Sequence, residues 1–77
     1  MKTITLVRRT AVYQKAYGLL CGPVTHLTTG TEITVGQAEN SASLKWNKKA
    51  HPFFDGDCTY FVLEEDIANA RINNAKT

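Results

Sequence analysis

The chain has 77 residues, of which 43% are hydrophobic and 21% charged, and its formal net charge is +2. These proportions are ordinary for a globular domain and argue against a disordered chain. A single core of this size stabilises a fold by only about 3–5 kcal/mol and leaves no space for a deep substrate cavity, so we expect one non-enzymatic domain without a cofactor.

The first half of the chain predicts short strands separated by turns. Residues 3–7 alternate polar and apolar side chains, as in a strand with one exposed face. The apolar run Tyr17–Cys21 ends at Gly22-Pro23, a strong break in regular structure. Glu32–Val35 alternates again and predicts a second clear strand, and the small polar residues 37–42 predict a loop.

The second half predicts more strands and then a helix. Leu44–Trp46 alternates as a strand does, and residues 47–49 predict a turn. Asp55-Gly56 is a strong hairpin signal before the strand Cys58–Leu63. Residues 64–72 carry acids first and arginine late, which favours a short helix or a single helical turn.

These elements predict a mainly β fold. Five short strands with tight turns favour a small antiparallel barrel over residues 1–72, because closing the sheet hides its edges. Residues 73–77 are predicted to fray. The alternative is an α+β fold in which the terminal helix packs on one face of the sheet.

The order of these segments resembles bacterial Src-homology-3-like domains. The segment Leu27–Val35 is similar to their central hairpin, and Leu44-Lys45-Trp46 is similar to the tryptophan-bearing strand that follows. Asp55-Gly56, Tyr60-Phe61-Val62 and Glu65-Asp66-Ile67 then follow in the family's order, so the resemblance covers about residues 4–67. It implies a peptide- or cell-wall-binding barrel without specifying the ligand.

The residues that bear reactive chemistry form no recognised catalytic or metal-binding pattern. Cys21-x4-His26 and His51-x6-Cys58 offer four ligands, but these spacings match no standard zinc knuckle. Cys58 and His51 flank the predicted hairpin and would approach each other there, yet neither cysteine lies at a recognisable helix start or beside a basic cluster of the kind that activates catalytic thiols. We therefore expect no metal site and no catalytic site, and we expect both thiols to be free and buried.

Aromatic and basic residues near the predicted loops are the candidate binding residues. Aromatic side chains beside arginine are typical anchors of protein interfaces. The predicted set is Arg8, Arg9, Tyr13, Tyr17, Trp46, Lys48 and Lys49.

The predicted function is steric regulation of a larger protein through an acidic or apolar patch on that partner. A regulator or inhibitor of this size would suit a bacteriophage genome. The alternative is a barrel that binds single-stranded nucleic acid or RNA with much the same residues. We expect a monomer or homodimer without membrane contact. The N-terminal apolar stretch is shorter than a signal-peptide core, which predicts a cytoplasmic protein.

Overall fold

Eight strands and one helical turn occupy residues 2–73, the part of the chain that the computed structural model describes. The described chain is therefore mainly β with one short helix, as predicted. Its helix is one turn long, and no described helix has the length and apolarity needed to span a bilayer. In chain order the elements are β1 Lys2–Thr5, β2 Thr10–Ala16, β3 Leu19–Leu27, β4 Glu32–Val35, β5 Glu39–Ala42, β6 Asn47–Asp55, β7 Cys58–Leu63, α1 Glu64–Ile67 and β8 Arg71–Asn73.

The strands form one sheet in the order β5-β3-β2-β7-β6-β4-β1-β8, and β5 also pairs with β6. The second pairing makes a ring of β2, β3, β5, β6 and β7. Only the residue pair Leu19 and Ala42 joins β3 to β5, in parallel, whereas the other pairings are antiparallel. This ring is too weakly joined there to be called a closed barrel.

The predicted count of five strands is wrong for two physical reasons. Residues 39–42 are mostly polar, yet they form β5 because they pair along their whole length with the start of β6. Residues 71–73 leave the predicted helix and form β8 by pairing with β1. Both strands are set by long-range pairing, which local propensity does not report. The predicted frayed tail begins at Asn73, which ends β8, and its residues 74–77 lie outside the described residues.

The β6–β7 hairpin carries an apolar cluster on each of its two faces. Phe61 and Leu63 point to one face of β7 and Val62 to the other, because successive strand residues alternate. This explains why Tyr60–Leu63 is a continuous apolar run instead of an alternating one. The first cluster contains Ile4, Leu6, Val12, Val35, Phe53, Val62 and Ile67, and the second contains Leu20, Ala50, Phe61 and Leu63 with Tyr13 and Trp46 packed against it.

Two local predictions in the second half are also wrong. Leu44–Trp46 forms the connection between β5 and β6 instead of a strand, and residues 47–49 start β6 instead of turning the chain. The hairpin signal at Asp55-Gly56 is one residue early, because Asp55 pairs with Cys58 across a two-residue turn. The strands predicted at Glu32–Val35 and Cys58–Leu63 are confirmed.

Candidate functional site

The turn between β2 and β3 holds a tyrosine in an unusual position. Tyr17 and Gly18 form the two-residue turn, with φ of +55° and +80°. Positive φ at both positions defines a type I′ turn, for which Asn-Gly is the preferred sequence. A bulky residue there is strained, and the Tyr17 side chain is nonetheless fully exposed. Folding therefore does not explain why tyrosine occupies this position.

A bulge in β3 follows this turn. Thr25 pairs with Val12 and Cys21 pairs with Gln14, so three residues of β3 oppose Tyr13 alone. Gly22 has a φ of +129°, and a Cβ there would lie 2.5 Å from the Val24 backbone nitrogen. Only glycine fits this backbone, and the bulge bends β3 beside Tyr13.

The loop between β5 and β6 is held by its own hydrogen bonds. The Ser43 backbone N–H donates to the Trp46 carbonyl oxygen at 2.7 Å. The Ser43 hydroxyl oxygen accepts from the backbone N–H groups of Lys45 and Trp46, at 3.1 and 3.2 Å. Leu44 at its tip is 89% exposed. The loop therefore presents a large apolar side chain to solvent on an ordered backbone.

These three segments enclose a surface groove of about 720 Å³. At its base the Trp46 and Tyr13 rings meet edge-on, with their centroids 5.8 Å apart. No acidic residue lines it, and its formal charge comes from Lys45, whose ammonium has no ion pair among the described residues. The lining residues are Tyr13, Ala16, Tyr17, Leu19, Leu20, Cys21, Gly22, Pro23, Ser43, Leu44, Lys45 and Trp46.

Two other lysines lie over aromatic rings and are already paired with acids. The Lys48 ammonium lies 5.5 Å from the Trp46 ring centroid and 3.0 Å from the Glu65 carboxylate. The Lys15 ammonium lies 4.9 Å from the Phe61 ring centroid and 2.9 Å from the Glu39 carboxylate. Both lysine side chains therefore lie over rings of the second apolar cluster, and the charge of each ammonium group is paired with a carboxylate.

The groove brings together only part of the predicted binding set. Tyr13, Tyr17 and Trp46 line it together, and Lys48 lies over Trp46. Arg8 lies at α1 instead, where its guanidinium donates to the carbonyl oxygens of Glu65 and Asp66 at 3.2 and 3.4 Å. The other two predicted residues, Arg9 and Lys49, are exposed and do not line the groove.

Sequence reasoning missed the residues that the turns contribute. Leu44 and Lys45 are absent from the predicted set, and their alternation with Trp46 predicted a strand instead of a loop. Ser43 was the available signal, since a serine hydroxyl that bonds nearby backbone N–H groups favours a turn. The bulge residues at Gly22-Pro23 were identified as a break but not as a binding surface.

The second polar feature is centred on His51. This buried ring donates its Nδ1 proton to the Gly36 carbonyl oxygen at 2.8 Å, and its Nε2 lies 3.8 Å from the Glu64 carboxylate. The expected approach of His51 to Cys58 is wrong, because the register places them four residues apart along the hairpin, about 13 Å. Among the described residues, no three of histidine, cysteine, aspartate and glutamate lie close enough to hold a metal ion.

Both cysteine thiols are free and exposed, so the prediction that they are buried is wrong. Cys21 lies at the bulge of β3 and lines the groove, whereas Cys58 begins β7 after the hairpin turn. Their positions provide one accessible thiol inside the groove and one outside it.

Comparison of the chain with protein-family models, curated proteins and solved structures finds no match. The resemblance to Src-homology-3-like domains therefore stays a prediction. Any functional conclusion has to come from the groove itself.

Proposed function

We propose that this chain is a small non-enzymatic binding module that regulates or inhibits a larger protein by occupying its surface. The groove receives a segment of that partner that carries an apolar side chain beside a carboxylate. The apolar side chain contacts Tyr13 and Trp46, and the carboxylate pairs with Lys45 at the rim. Bound in this way, the domain blocks the partner surface sterically.

The exposed Tyr17 is the observation that carries this proposal. Its ring contributes nothing by burial, and its backbone occupies a region that costs an ordinary residue about 1–2 kcal/mol. Strain of this kind is found at binding and catalytic sites. Leu44 lines the same groove and is exposed as well, so the side chains of Tyr17 and Leu44 are both accessible to a binding partner.

The charges favour a protein over a nucleic acid. Phosphate binding requires several unpaired cations along a groove, and its affinity falls steeply with salt. Here Lys15 and Lys48 are paired with Glu39 and Glu65, which leaves Lys45 as the unpaired cation of the lining. The exposed Tyr17 ring in a groove that also contains Lys45 would suit a stacked base, so nucleic acid is the second candidate.

Affinity capture from a nuclease-treated bacterial lysate tests the proposal with variants of exposed residues. Leu44→Lys and Tyr17→Ser are expected to abolish the capture of a protein that the wild type retains in stoichiometric amount. Phe54→Ser is the matched control, because Phe54 is 62% exposed and lies outside the groove. Retention by both groove variants, or loss with Phe54→Ser alone, would contradict the proposal.

The two cysteines provide an independent chemical test. Alkylation of Cys21 with N-ethylmaleimide in a Cys58→Ser background is expected to prevent capture, because the adduct fills the groove. Alkylation of Cys58 in a Cys21→Ser background is expected to leave capture intact. Capture from a parallel untreated lysate that disappears on nuclease treatment and weakens log-linearly with salt would instead favour the nucleic-acid hypothesis.

A further inference from the structure

The groove opens directly onto an unpaired edge of the sheet. Cys21, Gly22 and Pro23 line the groove, and the same strand continues beyond them as Val24–Leu27. On one side β3 pairs with β2, but on the other it pairs with β5 only at Leu19. Apart from this pairing with β2, Val24–Leu27 makes no hydrogen bond among the described residues.

An edge of this kind is a template for an added strand. Alternate residues of a strand direct both their N–H and C=O groups to the same side, so at least one of the regularly paired residues Thr25–Leu27 presents a donor and an acceptor outwards. Natural edges are usually protected by lysine, proline, a β-bulge or a covering segment, and here the bulge at residues 22–24 protects only the part of β3 that precedes Thr25. Val24–Leu27 carries no lysine and no proline, and Val24, Thr25 and His26 are exposed.

We propose that the partner segment binds as an extended strand added to β3, with its apolar side chain in the groove. This inference rests on the proposed function and specifies its binding mode. The regularly paired residues Thr25–Leu27 span about 10 Å, so about three extended residues of the occupant pair with the edge, and the neighbouring residues of the occupant enter the groove beside the bulge. Its carboxylate lies on the groove side, where Lys45 is the charged lining residue.

The register makes a second copy of this chain a poorer occupant. If two copies paired antiparallel along Val24–Leu27, Cys21–Pro23 of one copy would lie opposite Thr28–Gly30 of the other. Those residues are two threonines and a glycine, which have no large apolar side chain for the groove. A segment of another protein that carries an apolar residue can fill the groove and pair with the edge of β3 at the same time.

The test uses peptides selected on the intact 77-residue protein. A displayed library of random 12-residue peptides is selected on the wild type and counter-selected on Leu44→Lys, so that groove-dependent binders remain. Each residue of a selected peptide is then N-methylated in turn, which removes one backbone donor and leaves every protein residue unchanged. Strand addition predicts losses of about tenfold in affinity at alternate peptide residues, the value of one hydrogen bond.

Amide hydrogen exchange of the labelled protein gives a second measure. Saturating peptide is expected to slow exchange at alternate amides of Val24–Leu27 by about tenfold or more. Strand β8 (Arg71–Asn73), which pairs with β1 alone among the described strands, is the control and is expected to stay unchanged.

The remaining outcomes separate the two proposals. Groove-dependent peptides that tolerate N-methylation and leave the β3 amides unchanged would overturn strand addition and retain the proposed function. Failure to select any groove-dependent peptide would overturn both. Protection of the β3 amides without peptide, together with a doubled mass in solution, would identify a second copy as the occupant and overturn strand addition.

Discussion

The Trp46 ring packs edge-on against the Tyr13 ring, with 5.8 Å between centroids and an interplanar angle of 87°. Trp46 is the single tryptophan, so its emission reports on the base of the groove. Tyr13→Ala removes one wall of its environment and is expected to shift the emission to longer wavelength. Such a pair is also worth about 0.5–1.5 kcal/mol beyond burial, so a lower unfolding midpoint is expected.

Tyr60→Ala is the control for this prediction. Tyr60 also belongs to an aromatic pair, with Phe53 at 5.6 Å, but it packs against the cluster on the opposite face of the hairpin. Its loss is expected to lower stability without moving the tryptophan emission. Equal spectral shifts in both variants would show that Trp46 does not report on the groove alone.

Replacement of Tyr17 by asparagine is expected to stabilise the fold and weaken partner binding. Asn-Gly is the preferred type I′ turn, so Tyr17→Asn relieves about 1 kcal/mol of backbone strain. Urea denaturation measures the gain, and capture of the partner measures the loss. Gly18→Ala is the control with the opposite expected effect on stability. It should destabilise the fold, because the φ of +80° at this position disfavours alanine although a Cβ there would meet no atom within 4 Å. If Tyr17→Asn bound the partner as the wild type does, Tyr17 would have no role in the groove.

Replacement of Gly22 in the β3 bulge is expected to lower the stability of the fold more than replacement of a glycine in an ordinary turn. Gly22→Ala combines backbone strain with a Cβ 2.5 Å from the Val24 nitrogen, and a loss of about 3 kcal/mol is expected. Gly30→Ala carries strain alone, because φ is +91° but the surrounding space is open, and a loss of about 1 kcal/mol is expected. Thermal unfolding of the two variants measures the difference. Equal losses would mean that β3 shifts to accommodate the Cβ.

The ionisation of Tyr60 is expected to depend on Cys58. A hydrogen bond with the Cys58 thiol, followed by the charge of that thiol, raises the pKa of Tyr60 above its usual value. Cys58→Ala is expected to lower the pH at which the Tyr60 ring resonances titrate, and Cys21→Ala is expected to leave it unchanged. No difference between these variants would rule out the contact between Cys58 and Tyr60.

The sequence predicted the strands whose own residues show a strand pattern. Glu32–Val35 and Cys58–Leu63 alternate or run apolar over their whole length, and both are strands. It did not predict β5, because Glu39–Ala42 is mostly polar and becomes a strand only by pairing with residues 47–50 of β6. The strand predicted at Leu44–Trp46 failed for the opposite reason, since the Ser43 hydroxyl holds a turn there that alternation does not show.

The candidate site was predictable in part for the same reason. Tyr13, Tyr17 and Trp46 were identified as aromatic residues near loops, and they do line one groove. Their meeting depends on the pairing of β5 with both β3 and β6, which brings the tip of one hairpin beside another. Arg8 was placed in the same set by proximity in sequence, but its guanidinium turns toward α1.

The β6–β7 hairpin has an apolar cluster on each face, and the groove belongs to only one of them. The cluster on the other face, which includes Ile4, Val35 and Val62, therefore stabilises the fold without lining the groove. Randomising the exposed groove positions Tyr17, Leu44 and Lys45 would leave that stabilising cluster unchanged. The chain is consequently suited to acquiring new partners while keeping its fold, and a directed-evolution library built on those three positions should remain mostly folded.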